Sequence, residues 1–98
     1  MDARWISDAG HGWLKVPRHE YDRAGIKASR YSYQDDGHVY LEEDCDAGLL
    51  IAALLAEGRA TLNNRSTPDV ALYIDGAALG WEHVDGLSEI RQLDRIGA

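Results

Sequence analysis

Apolar and polar positions alternate along some stretches of the chain and recur at helical spacing along others, and the switches between the two patterns divide it into elements. Trp5-Ile6 is a short apolar pair, followed by the turn-prone Ser7-Asp8-Ala9-Gly10-His11-Gly12 and the extended-looking Trp13-Leu14-Lys15-Val16. Glycines on both sides of His11 permit a tight reversal, so this stretch predicts strand, turn, strand. Pro17 ends the second strand and suits the first turn of a helix over Arg18 to Ala24, with Gly25 as a left-handed cap. From Ser29 to Gln34 the chain alternates Ser29, Tyr31 and Tyr33 with Arg30, Ser32 and Gln34, a period of two that predicts a strand. Asp35-Asp36-Gly37 reads as a type I′ hairpin turn, and His38 to Glu42 returns antiparallel.

Leu49, Leu50, Ala53, Leu54 and Glu57 recur at helical spacing. They predict the main helix, over about residues 46–57, with Asp44 or Asp46 capping its start and Gly58 ending it. The last forty residues carry weaker signals. Residues 63–68 have loop chemistry, Val70 to Ile74 reads as a strand stopped by Asp75-Gly76, Trp81 is expected to dock on the core, and Ser88 is expected to cap a short helix from Glu89 to Leu93. Together these elements predict an α+β fold: an antiparallel sheet of about four or five strands, one main helix packed on one face, and one or two short helices. All 98 residues are expected to form a single compact domain.

Composition narrows the picture. With 45% hydrophobic and 28% charged residues the chain is globular in type, and since Phe is absent, three Trp and five Tyr supply its aromatic bulk. Such rings combine an apolar body with a polar handle and suit places where a core meets water or a partner. A single cysteine, Cys45, excludes an internal disulfide framework. The longest apolar run, Leu49 to Ala56, falls far short of the roughly 20 residues of a membrane helix. The N-terminus lacks the basic and apolar regions of a signal peptide. These observations lead us to expect a complete, soluble chain of the cytoplasm.

Charge changes the picture most. From Tyr31 to Gly58 there is no Lys or Arg, but seven acids: Asp35, Asp36, Glu42, Glu43, Asp44, Asp46 and Glu57. The flanking segments cancel one another, so this stretch accounts for the whole net charge of −7. Direct nucleic-acid binding, with Tyr31 and Tyr33 stacking on bases beside Arg18, Arg23, Lys27 and Arg30, is opposed by that charge. Metal binding lacks support as well. His11, His19, His38 and His83 form no HxH or HxxxH spacing, and no GxxxxGK[ST] or GxGxxG loop accompanies the carboxylates at 42–46. Cys45 lies between Asp44 and Asp46, which disfavour a thiolate, so a thiol nucleophile is disfavoured too. No catalytic residue, metal or cofactor is expected.

Two readings of the acids remain. One acid caps the helix and the rest are solvated, or they form a regular anionic surface, since alternate strand side chains share a face at about 6 to 7 Å. The second reading makes the chain a nucleic-acid mimic that binds a basic partner protein. Asp35, Asp36, Glu42, Glu43, Asp44 and Asp46 would supply its charge, and Tyr31, Tyr33 and Tyr40 its contact area. The rivals are an accessory module or homodimer that uses Trp13 and Trp81, and a small metal-assisted hydrolase using His11 and the carboxylates at 42–46.

The segments Trp5 to Pro17, containing Gly-His-Gly-Trp-Leu-Lys-Val-Pro, and Tyr40 to Ala47, Tyr-Leu-Glu-Glu-Asp-Cys-Asp-Ala, resemble small proteins of bacterial mobile elements and phages. The resemblance covers the first half of the chain and attaches no catalytic role to either segment. It implies an anti-CRISPR or related anti-defence inhibitor that occupies the nucleic-acid site of a basic partner such as a CRISPR effector.

Overall fold

The computed structural model describes residues 1–8, 10–63, 71–84 and 89–97. The first hairpin joins β1 (Arg4–Asp8) to β2 (His11–Pro17), paired from Arg4↔Lys15 to Asp8↔His11. The reversal is tighter than the sequence suggests, because Gly10 turns with φ 106° and His11 is already the first residue of β2. Helix α1 (Arg18–Ala24) follows Pro17 directly and closes on Gly25, as expected, with φ 69° and a bond from its N–H to the Asp22 carbonyl.

The second hairpin is shorter than its period-two pattern suggests. Residues 29–32 turn rather than extend, and only β3 (Tyr33–Gln34) pairs with β4 (His38–Glu42). Its loop is not a type I′ turn, since Asp36 and Gly37 both keep negative φ. Side chains divert the groups that would close such a turn. The Asp35 carboxylate accepts the N–H groups of Gly37 at 2.9 Å and His38 at 2.7 Å, while Arg18 donates to the Asp35 carbonyl at 2.7 Å. Positive φ at both loop positions, the I′ signature, occurs instead at Asp75 (51°) and Gly76 (83°). They link β6 (Ala71–Ile74) to β7 (Ala77–Ala78).

Helix α2 (Ala47–Ala56) ends as expected at Gly58, where φ is 74°. The Gly58 N–H reaches the Leu55 carbonyl and the Arg59 N–H the Leu54 carbonyl, a Schellman closure. Its start differs from expectation, because Asp46 precedes it without a side-chain capping bond.

Strands β5 (Ala60–Asn63), β8 (Trp81–His83) and β9 (Asp94–Arg95) complete two sheets. The larger has six strands in the order β8-β1-β2-β4-β3-β9, and the smaller has the order β5-β6-β7. The α+β class therefore holds, but the main sheet is wider than four or five strands and is mixed, because β8 runs parallel to β1. The added edge strands have three and two residues, too short to show alternation in sequence.

Strand alternation gives the main sheet two different faces. Leu14, Val16, Val39 and Leu41 face a core shared with Ala47, Leu50 and Leu54 of α2 and with Ala60, Leu72 and Ile74 of the small sheet. On the opposite face Ile6, Trp13, Tyr33 and Tyr40 form a second cluster, joined by Ile90 of a 3-10 turn (Glu89–Gln92) and flanked by Val84 and Leu93. Trp81 does not dock on the core: it is half exposed and stacks on Trp5 with centroids 5.2 Å apart. Ser88, expected to cap the last helix, lies outside the described residues, as do Val70 and the loop at 64–68. No helix among the described residues is long and apolar enough to cross a membrane.

Candidate functional site

The second face of the main sheet opens into a cleft of about 400 Å³ lined by His11, Trp13, Tyr31, Tyr33, Glu42, Asp44, Cys45, Arg91 and Arg95. Trp13 is its floor: β2 carries it, it is 1% exposed, and it meets Tyr33 and His11 edge to face at 6.2 and 6.0 Å. Its indole Nε1 is buried with no acceptor among the described residues. The guanidinium of Arg91 lies 5.3 Å over the Trp13 ring and binds Asp8 through two hydrogen bonds, at 2.8 and 3.0 Å. That of Arg95 lies 5.2 Å over Tyr33. Sequence reasoning missed both arginines. Their four-residue spacing amid Ile90, Leu93 and Ile96 was the available signal, and it names no partner ring.

Burial divides the acids nominated from the sequence into two groups. Asp46 is 3% exposed, and its Oδ2 accepts from the Ser29 N–H (3.0 Å), the Ser29 hydroxyl (2.7 Å) and the Ser32 hydroxyl (2.5 Å). It ties down the turn before β3 and offers nothing to a partner, which corrects the expectation of an exposed acid there. Asp35 is half-committed. Burial opposes its ionisation, but hydrogen bonds from Tyr40 at 2.8 Å and from the Gly37 and His38 amides outweigh that and hold its carboxyl below the usual range. Tyr40 answers in the opposite sense, its phenol pushed up by burial and by the Asp35 carboxylate. Asp36, Glu43 and Asp44 are exposed, and their carboxylates make no hydrogen bond or ion pair among the described residues. Glu42 is partly buried and accepts the Cys45 N–H at 2.8 Å.

Of the three tyrosines nominated as contact area, Tyr33 and Tyr40 are buried and only Tyr31, 59% exposed, is open to a partner. Trp13, considered for an interface, is buried too.

The arginines pair elsewhere. Arg59 binds both Glu20 and Asp75, the latter at 2.9 Å, and Arg23 binds Glu20 at 3.2 Å and Glu57 at 3.1 Å. Arg4 approaches Glu82 at 3.5 Å, and Arg91 takes Asp8. None of the described residues gives a Lys or Arg partner to any side-chain carboxylate between Asp35 and Asp46; among ionisable bases only His38 approaches one, at 3.9 Å from Asp35. The uncompensated acids therefore lie at the two ends of β4, with Asp36 at the turn before it, Glu42 as its last residue, and Glu43 and Asp44 at the corner after it. A five-residue strand separates them by about 17 Å.

Among the described residues no group of three or more His, Cys, Asp or Glu side chains is assembled to hold a metal ion, although His11, Glu42 and Asp44 line one cleft. The Cys45 thiol is pushed up by its bond to Glu42 and by the neighbouring Asp46 and Asp44 charges, which works against a nucleophilic thiolate. No family model matches the chain, and no curated protein or solved structure resembles it significantly.

Proposed function

We propose that the protein is a non-enzymatic inhibitor whose acidic ridge, formed by Asp36, Glu42, Glu43 and Asp44, docks on a basic nucleic-acid-binding surface of a partner protein and blocks it. One observation carries this reading: among the described residues arginines pair with Asp8, Glu20, Glu57, Asp75 and Glu82, whereas no carboxylate in the run from Asp35 to Asp46 has a Lys or Arg partner. An anionic ridge held on a strand and its two flanking turns keeps its charges at fixed spacing, which favours steering toward a complementary basic surface. The narrower form, a CRISPR effector as the target, follows from the resemblance of the Trp5–Pro17 and Tyr40–Ala47 segments.

The test compares the wild type with the triple variant Asp36→Lys, Glu43→Lys, Asp44→Lys as baits in a bacterial lysate. Proteins held by the wild type and released by the variant should be nucleic-acid-binding proteins, and the purified wild type should displace DNA or RNA from them in a salt-sensitive manner. Capture of the same proteins by both baits, or an affinity indifferent to ionic strength, overturns the reading.

A second reading rests on a separate observation. Helix α2 carries no charged residue and leaves Leu49 and Leu55 exposed, and Trp81 is half exposed on an edge strand. An accessory module or homodimer joined through these apolar groups would tolerate the three charge reversals and give a dimer mass in light scattering.

A further inference from the structure

Four aromatic rings stand on or beside the second face of the main sheet, and three of them carry a cation of the same chain. Lys15 Nζ lies 5.8 Å from the Tyr40 centroid, Arg91 lies 5.3 Å over Trp13 and Arg95 lies 5.2 Å over Tyr33. Tyr31 is the fourth. It lines the same cleft as Trp13 and Tyr33, is the most exposed of the large apolar side chains described, and has no cation over it among the described residues. The same cleft holds Glu42 and Asp44, whose carboxylates have no Lys or Arg partner among the described residues. The ring without a cation and the carboxylates without a cation therefore share one concavity.

We infer that this cleft is the seat of an arginine side chain from the partner, its guanidinium stacked on Tyr31 and paired with the carboxylates of Asp44 and Glu42. The inference rests on the acidic-docking reading above and names the partner group that the ridge receives. A guanidinium suits the site better than an ammonium because it is planar, weakly hydrated and able to bind carboxylates through two parallel hydrogen bonds while stacking on a ring. The chain already shows the full arrangement at Arg91, over Trp13 and paired with Asp8, and the ring contact alone at Arg95. Nor do the existing cations close the site to a third. The charge of Arg91 is met by Asp8, and Arg95 is drawn toward Tyr33 and, at 3.3 Å, the Arg30 carbonyl. The open cleft of about 400 Å³ has room for one long side chain.

Two synthetic peptides of equal length and charge, one built on Arg and the other on Lys, test this by calorimetric titration at fixed ionic strength. The wild type should bind the Arg peptide about fivefold more tightly. Tyr31→Ala and Asp44→Asn should each bring the two peptides to parity, while Asp22→Asn, on α1 and outside the cleft, should keep the preference. Equal, salt-sensitive affinity of the wild type for both peptides overturns the arginine seat and leaves acidic docking standing. Binding of neither peptide overturns both. A preference that survives Tyr31→Ala overturns the seat as drawn.

Discussion

Asp36 and Asp46 belong to the same acidic stretch, yet burial gives them opposite roles. Removing the Asp46 carboxylate strands three donors, the Ser29 amide and the Ser29 and Ser32 hydroxyls, in a place almost closed to water. Ser32 also receives the Glu42 N–H at 2.9 Å, so the damage would spread to the end of β4. Asp46→Ala is expected to lower the unfolding free energy by about 2–4 kcal/mol in a urea titration. Asp36→Ala is expected to change it by less than about 0.5 kcal/mol, as a solvated surface acid should. Comparable losses for the two would mean that Asp46 does not organise the turn. The sequence displayed both as members of one charged run. What separated them was the spatial approach of Ser29 and Ser32, which no local pattern encodes.

At the scale of elements, Arg59 leads from the closure of α2 into β5 and ties together α1, through Glu20, and the β6–β7 turn, through Asp75. Its guanidinium holds both carboxyls below their usual range, against some burial at each. Folding thus lowers the pKa of two carboxyl groups, so the unfolded chain binds more protons in acid. The stability from this cluster is complete above about pH 5 and is lost as the pH falls through the ordinary carboxylate range toward the folded values. Arg59→Met leaves the buried Glu20 with only Arg23, and is expected to cost about 1–3 kcal/mol at neutral pH. The gap from wild type should narrow at about pH 3, where the carboxylates approach protonation. Urea titrations at both pH values measure this, and an equal gap at each would contradict the linkage. Elements with local signals were legible: α1 between Pro17 and Gly25, the helix ended by Gly58, and the hairpin around Gly10. Asp35-Asp36-Gly37 and Asp75-Gly76 show where local letters fall short. Both contain Asp-Gly, but only the second adopts the I′ turn, because the Asp35 carboxylate and Arg18 divert the hydrogen bonds of the first. β8 and β9 are too short to announce themselves and exist through distant pairing. Two of the nine residues lining the candidate cleft were equally hidden, since Arg91 and Arg95 arrive about fifty residues after Glu42 and Asp44.

For the molecule as a whole, the ion pairs that join elements and the charges left on the ridge are separate sets. The triple reversal at Asp36, Glu43 and Asp44 should therefore fold with a melting temperature equal to or above that of the wild type, because it relieves like-charge repulsion and breaks no side-chain hydrogen bond or ion pair among the described residues. A large fall in melting temperature would show that the ridge is structural. The topology has a further consequence, in time rather than in space. The four inner strands of the main sheet, β1, β2, β4 and β3, all lie within the first 42 residues, while β8 and β9, its two outer strands, lie beyond residue 80. On a ribosome adding roughly 5–20 residues per second, the centre of the sheet is available seconds before either border. In that interval both rows of backbone amides stand open to pairing with a neighbouring nascent chain. The closing segment of the chain thus ends this exposure on both sides of the sheet, and how quickly it follows the rest out of the ribosome governs how long the newborn protein is at risk of aggregation.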